Sequence, residues 1–163
     1  MISSSLDHRI CALLAMQRQS GQPQILLDAM RDLCEDHYGF RLLTLMKYHP
    51  STGEIQRVYT SMPDHFPLGG RKMMNATGWG KHVLVQGNVW LGNSAKEILE
   101  TFPDADNILR YAGEACACLP VRWNDQTLAV LSLCDQKGKY STSKLDEMAK
   151  IAQTLVPVVM ECN

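Results

Sequence analysis

Long apolar runs are missing from this chain of 163 residues, and none approaches the length of about 20 that a membrane-spanning helix needs. The start, Met1-Ile2-Ser3-Ser4-Ser5-Leu6-Asp7-His8-Arg9, sets charge where a secretory signal would carry its apolar segment. Both absences predict a cytoplasmic protein with no membrane partner. Blocks of like charge are missing too: 16 basic residues stand against 17 acidic ones, for a formal charge of -1. A binding surface for nucleic acid or anionic lipid built on electrostatics is therefore not expected. No linker-like segment, internal repeat or low-complexity tract interrupts the chain, so residues 1–163 read as one domain. Its 45% hydrophobic content suffices for a core. Cys11, Cys34, Cys116, Cys118, Cys134 and Cys162 are even in number, but a chain with such a core has little need of disulfides. They are expected to stay reduced.

The usual catalytic constellations are absent as well. His37, His49 and His65 fall in unrelated elements, so no Ser/His/Asp or Cys/His relay is assembled by their spacing. No Gly-rich loop of the phosphate-cradling kind occurs, and the sequence requires no cofactor and no metal. Gly69-Gly70 precedes Arg71-Lys72, a small basic spot that would attract an anion or, more plainly, form an exposed turn.

What is present is periodicity. Leu6, Ile10, Leu13, Leu14 and Gln17 follow helical spacing over residues 5–18, with Ser20-Gly21 as a stop. A second helix is expected from a first-turn Pro23 to Gly39, its apolar stripe made by Ile25, Leu26, Ala29, Met30, Leu33 and His37. These helices occupy residues 1–38. The period then shortens: residues 42–48 and 54–60 read as a hairpin joined by His49-Pro50-Ser51-Thr52-Gly53. After a Pro- and Gly-rich stretch come a helical segment over 78–85, a short strand Val89-Trp90-Leu91, and a capping box at Ser94-Ala95-Lys96-Glu97 whose helix Pro103 closes. Residues 115–123 and 126–133 form a second hairpin about Asn124-Asp125, a pair that tolerates positive φ. One last helix over 141–160 aligns Leu145, Met148, Ile151, Ala152 and Leu155, and Pro157 should end or kink it. Helices bracketing hairpins, without strand–helix–strand alternation, predict an α+β fold with an antiparallel sheet.

That order resembles the GAF domain. The match is strongest over residues 113–152, where Leu119-Pro120-Val121, the Asn124-Asp125 turn, Leu128-Ala129-Val130-Leu131-Ser132-Leu133 and Tyr140-Ser141 into Leu145 sit at family-like spacing. Gly78-Trp79-Gly80 and Gly87-Asn88-Val89-Trp90-Leu91-Gly92-Asn93 look like the family's helix and short central strand. The resemblance implies a six-stranded antiparallel sheet over residues 41–135, with the terminal helices on one face. On the other it implies a ligand chamber roofed by short helices and loops from about 75 to 112. It implies a homodimer formed through the terminal helices, and a sensory or regulatory role in which a small molecule is bound. No output domain is evident, so the signal is expected to pass to a separate signalling protein or to the rest of a longer chain. Three family specialisations match less well. Asp135-Gln136-Lys137, Tyr140 and Asp146-Glu147 echo the cyclic-nucleotide signature with different spacing and no asparagine. The cysteines that methionine sulfoxide-reducing relatives carry are missing from Gly78-Trp79-Gly80 and Ile108-Leu109-Arg110-Tyr111. For a tetrapyrrole, His82 alone is placed as an axial ligand.

On that frame Trp79, His82, Trp90 and Tyr111 fall in the roof or its flanking strand and would line a chamber, with core filling as the plainer role. Cys116 and Cys118 share a strand face, and Cys134 can lie beside them. They read as small buried hydrophobes, or as thiols of a redox enzyme. Asp135 would cap a polar ligand group or stay an exposed turn carboxylate. The nine methionines, with Met73-Met74 among them, read as core filler or adaptable lining. A purely structural dimerisation module with a filled chamber is the remaining alternative.

Overall fold

The computed structural model describes residues 5–162, so the part of the amino-terminal reading that concerns Met1–Ser4 lies outside it. Ser5 caps α1 (Leu6–Met16), its hydroxyl accepting from the His8 amide at 3.3 Å. α2 (Gln24–His37) has Pro23 at its N-cap, just before the first turn rather than in it. Its buried stripe is Leu26, Leu27, Met30, Leu33 and Cys34. That is about one residue's rotation from the expected stripe, because the 3.6-residue repeat fits either face and packing against α1 and the sheet selects one. Ile25 is only half-buried, and the exposed His37 meets Glu147 at 3.1 Å.

β1 (Leu42–His49) and β2 (Glu54–Thr60) form the first hairpin, and β3 (Arg71–Met73) adds a short edge. A turn of π-helix (Gly80–Val85), β4 (Trp90–Gly92), α3 (Ala95–Thr101) and α4 (Ala105–Tyr111) follow. The expected capping box opens α3: Ser94 Oγ accepts from the Glu97 amide at 3.2 Å, and Glu97 Oε2 accepts from the Asn93 amide at 2.8 Å. β5 (Ala115–Trp123) and β6 (Gln126–Asp135) turn through Asn124 and Asp125 at φ 50° and 58°, the left-handed pair that a tight hairpin requires. The carboxyl end is two helices rather than one, α5 (Thr142–Gln153) and α6 (Val156–Glu161). Pro157 lies in the first turn of α6, where its missing N–H costs nothing, and so the break falls at Thr154–Leu155.

All pairings are antiparallel and the strand order is β3-β2-β1-β6-β5-β4. Because the pleat sends successive side chains to opposite faces, β6 alternates sharply. Ala129, Leu131 and Leu133 meet the terminal helices, while Val130, Ser132 and Cys134 face away from them. Both faces are covered, which is why β5 and β6 are almost wholly buried. The structure is α+β, with α1, α2, α5 and α6 on one core and the π-turn, α3 and α4 over a second.

Candidate functional site

The second core is built on short rungs across the sheet. One runs Leu42, Cys134, Cys116; the next runs Thr44, Ser132, Cys118. Above them sit Trp79 from the start of the π-turn and Phe102 and Ile108 from the α3–α4 roof. Gly80 lets the roof come down, since a Cβ there would run into the Met74 carbonyl. The enclosed cavity is about 30 Å³, room for about one water, and its lining includes Met46, Ile55, Arg57, Phe66 and Lys72. Outside it lies an open groove of about 340 Å³, and Arg57, Phe66 and Lys72 line both.

Arg57 owes its position to a β-bulge. Leu45 pairs with Tyr59 and Met46 with Arg57, which leaves Val58 over. Val58 and Tyr59 therefore both pack on the helix side, and Arg57 stays on the chamber face with Ile55. The residue is 6% exposed. Its Nη1 donates to the Pro67 carbonyl at 3.0 Å, the guanidinium lies 5.5 Å from the Phe66 ring centre, and Nη2 stands 3.9 Å from Asp104 Oδ2. Nε has no hydrogen-bond partner. Burial lowers the Arg57 pKa from its ordinary value, and Asp104 offsets only part of that. Lys72 Nζ lies 2.6 Å from Asp104 Oδ1 and 5.2 Å from the Phe102 ring centre; the close contact is an ion pair, its alignment outside hydrogen-bond geometry.

Of the residues expected at a site, Trp79 and Cys116 line the cavity. Trp79 is 5% exposed, packs edge-on to Phe102 at 5.7 Å, and its indole N–H has the Cys118 thiol as a weak acceptor, outside good hydrogen-bond alignment. Cys118 is buried beside it; the hydrogen bond from the indole lowers the pKa of the Cys118 thiol, against the stronger effect of burial. The cysteines do converge: Cys116 Sγ is 3.8 Å from Cys118 Sγ and 2.8 Å from Cys134 Sγ. Burial first, then the Cys116 thiol, pushes Cys118 well above the usual thiol range. For Cys116 the Cys118 thiol acts downward, and the Cys134 thiol and burial outweigh it. Neither is poised as a thiolate.

The other expected residues lie elsewhere. The His82 ring Nε2 sits 2.9 Å from the Val89 carbonyl and so ties the π-turn to β4, away from the cavity lining. Trp90 packs on Phe102 at 5.7 Å from behind. Tyr111 stacks on His65 at 3.7 Å at the roof's outer side. Asp135 is neither at the cavity nor on an exposed turn. It is buried, with Oδ1 accepting from the Gln136 amide at 2.7 Å and 3.4 Å from Arg41 Nε, because Gly113 brings the α4–β5 turn against it. Arg57, Asp104, Phe66 and Phe102 were not singled out by sequence reasoning, although Arg57 stands two places from Ile55 in an expected strand, a spacing that shares a face. Lys72 belonged to the basic spot, and it proves nearly buried rather than exposed.

Among the described residues, no group of three or more His, Cys, Asp or Glu side chains is placed to hold a metal ion, and no helix is long and apolar enough to cross a membrane. No protein-family model and no curated protein matches the sequence. Solved structures do. The GAF domain of an Acinetobacter phosphoenolpyruvate-protein phosphotransferase superposes with a TM-score of 0.71 at 12% identity, covering 98% of this chain and 95% of its own. The phycocyanobilin-bound GAF domain of a cyanobacterial phytochrome gives 0.72 at 15%, over 98% and 96%. The free methionine-R-sulfoxide reductase of Neisseria meningitidis, in complex with its substrate, gives 0.70 at 8%, over 95% and 88%. Identities this low speak for the backbone alone, and the backbone agrees over nearly the whole length of each chain: the protein has the GAF fold.

Proposed function

We propose that this protein is a sensory or regulatory module that binds a small molecule at its second core. One observation carries the reading: Arg57, which lines the cavity, buries a guanidinium whose Nε has no hydrogen-bond partner. Buried polar groups are paired in the great majority of cases, and each exception calls for an explanation. Acceptors on a ligand supply one. The proteins of this fold described above include one holding phycocyanobilin and one holding its substrate. The groove of about 340 Å³ is in the range of small-molecule sites, and Met46 and Met74, adaptable side chains in the second core, provide the slack for the chamber to widen from about 30 Å³.

The same reading has residues 1–163 acting as one unit in the cytoplasm, dimerised through the terminal helices and signalling to a separate protein. Leu14 on α1 and Met160 on α6 are 49% and 55% exposed, apolar surface that a second copy would cover. A purely structural dimerisation module is the second reading, favoured by the small size of the chamber. A thiol oxidoreductase is disfavoured by the burial and raised pKa of Cys116 and Cys118.

A thermal-shift screen of a metabolite library separates the first two readings. At least one compound is expected to raise the melting temperature of the native chain and to leave Ser132→Phe, whose ring would occupy the chamber, unshifted. Equal shifts in both proteins, or none in either, would favour the structural module.

A further inference from the structure

The mouth of the chamber carries more positive than negative charge. Arg57 and Lys72 face one carboxylate, that of Asp104, which is 29% exposed at the turn between α3 and α4. Arg71, the next cation along the groove, is already matched by Glu54 at 3.0 Å. Asp104 occupies the N-cap position of α4, yet its side chain makes no capping hydrogen bond and is turned to the two cations instead. Its hold on them is uneven, 2.6 Å to Lys72 and 3.9 Å to Arg57. The guanidinium is thus nearly buried, loosely paired and short of one acceptor at Nε. A buried cation is tolerated when it is paired and hydrogen-bonded, so this one is matched to an anion that the chain only half provides.

Resting on the reading of the second core as a ligand site, we propose that its ligand is a small organic carboxylate. The carboxylate engages the Arg57 fork and Lys72, sharing or displacing Asp104, and the apolar body lies against Phe66 and Phe102, with the Trp79 ring at the inner end. One uncompensated cation suits a monoanion, whereas a phosphate dianion would bring its second charge against Asp104. The planar guanidinium fits a carboxylate at two points. Gly70 leaves the guanidinium room to do so, since a Cβ there would stand 2.7 Å from Nη1.

Arg57 and Trp79 are also two reporters, because an arginine Nε–H and an indole N–H each give a resolved signal in a proton–nitrogen correlation spectrum. The labelled chain of 163 residues is titrated with hexanoate and phenylacetate, with the neutral hexanamide and phenylacetamide, and with inorganic phosphate. The expected result is a saturable shift of the Arg57 Nε–H signal with at least one carboxylate and none with its amide. Lys72→Gln, which keeps most of the side chain's length and removes its charge, should weaken that binding about tenfold, the loss of one charge-assisted contact. If the amides move both signals as strongly as the carboxylates, the site is a neutral one: the sensory reading stands and the charge assignment falls. Phosphate binding tighter than either carboxylate overturns the assignment in favour of another anion. If no compound moves either signal, the ligand-site reading falls together with this one.

Discussion

Glu147 shows how a single side chain ties the two ends of the chain together. It lies on α5, within 3.1 Å of His37 and 3.2 Å of the Tyr38 hydroxyl at the end of α2, with Lys144 one turn away at 3.6 Å. Burial raises its pKa, but the hydrogen bonds from His37 and Tyr38 outweigh that and hold it below the free value of 4.5. A carboxylate with a depressed folded pKa contributes stability in full above pH 4.5 and loses it as pH falls through the folded value. Glu147→Gln is therefore expected to be less stable than the native chain near neutral pH, by less than about 1 kcal/mol at this partly exposed position. The difference should close below pH 4.5, as read from urea unfolding across the pH range. A difference that persists unchanged in acid would mean that the glutamate acts through packing. At the same scale, Arg57 explains what could not be read in advance. An arginine in a hairpin strand is ordinarily wet, and the bulge at Val58 that keeps it on the chamber face depends on pairing with β1, which the local sequence does not express.

Elements whose signals are local were legible, and those fixed by partners were not. The Asn124-Asp125 hairpin and the Ser94–Glu97 capping box rest on turn chemistry carried by the residues themselves. β3 is only Arg71–Met73, too short to show any period, and exists because β2 offers an open edge. α4 is 7 residues long, a length at which helical periodicity is weak, while the helical segment expected over 78–85 is present with its last 6 residues wound as a π-turn. The roof formed by these short pieces depends on Gly80. Gly80→Ala should cost at least about 2 kcal/mol, the price of forcing a Cβ into the Met74 backbone. Gly78→Ala, where a Cβ meets nothing within 4 Å, should stay within about 0.5 kcal/mol of the native chain. Urea denaturation of the two variants checks both values. Equal stabilities would show that the roof has room to rise, and that the chamber is not closed by this contact.

Over the whole molecule, one sheet separates two cores of different character. The helix-side core holds α1, α2, α5 and α6 by close apolar packing on Leu43, Leu45, Leu131 and Leu133. The other places a buried guanidinium with an unpartnered Nε at the edge of a cavity. The α+β architecture was legible because apolar spacing changes from helical to alternating and back along the chain. Of the expected residues Trp79 in the roof and Cys116 on the sheet lie at the cavity, whereas its charged half comes from β2, β3 and the turn before α4, distant in sequence and joined only in the fold. The central claim is that the second core receives a small molecule in a dimeric protein. Native mass spectrometry of the full chain after incubation with a cellular small-molecule extract, followed by the same sample denatured, tests it most directly. The expected result is a dimer carrying an added mass that native conditions retain and denaturation releases. A species with the polypeptide mass alone before and after denaturation would contradict it.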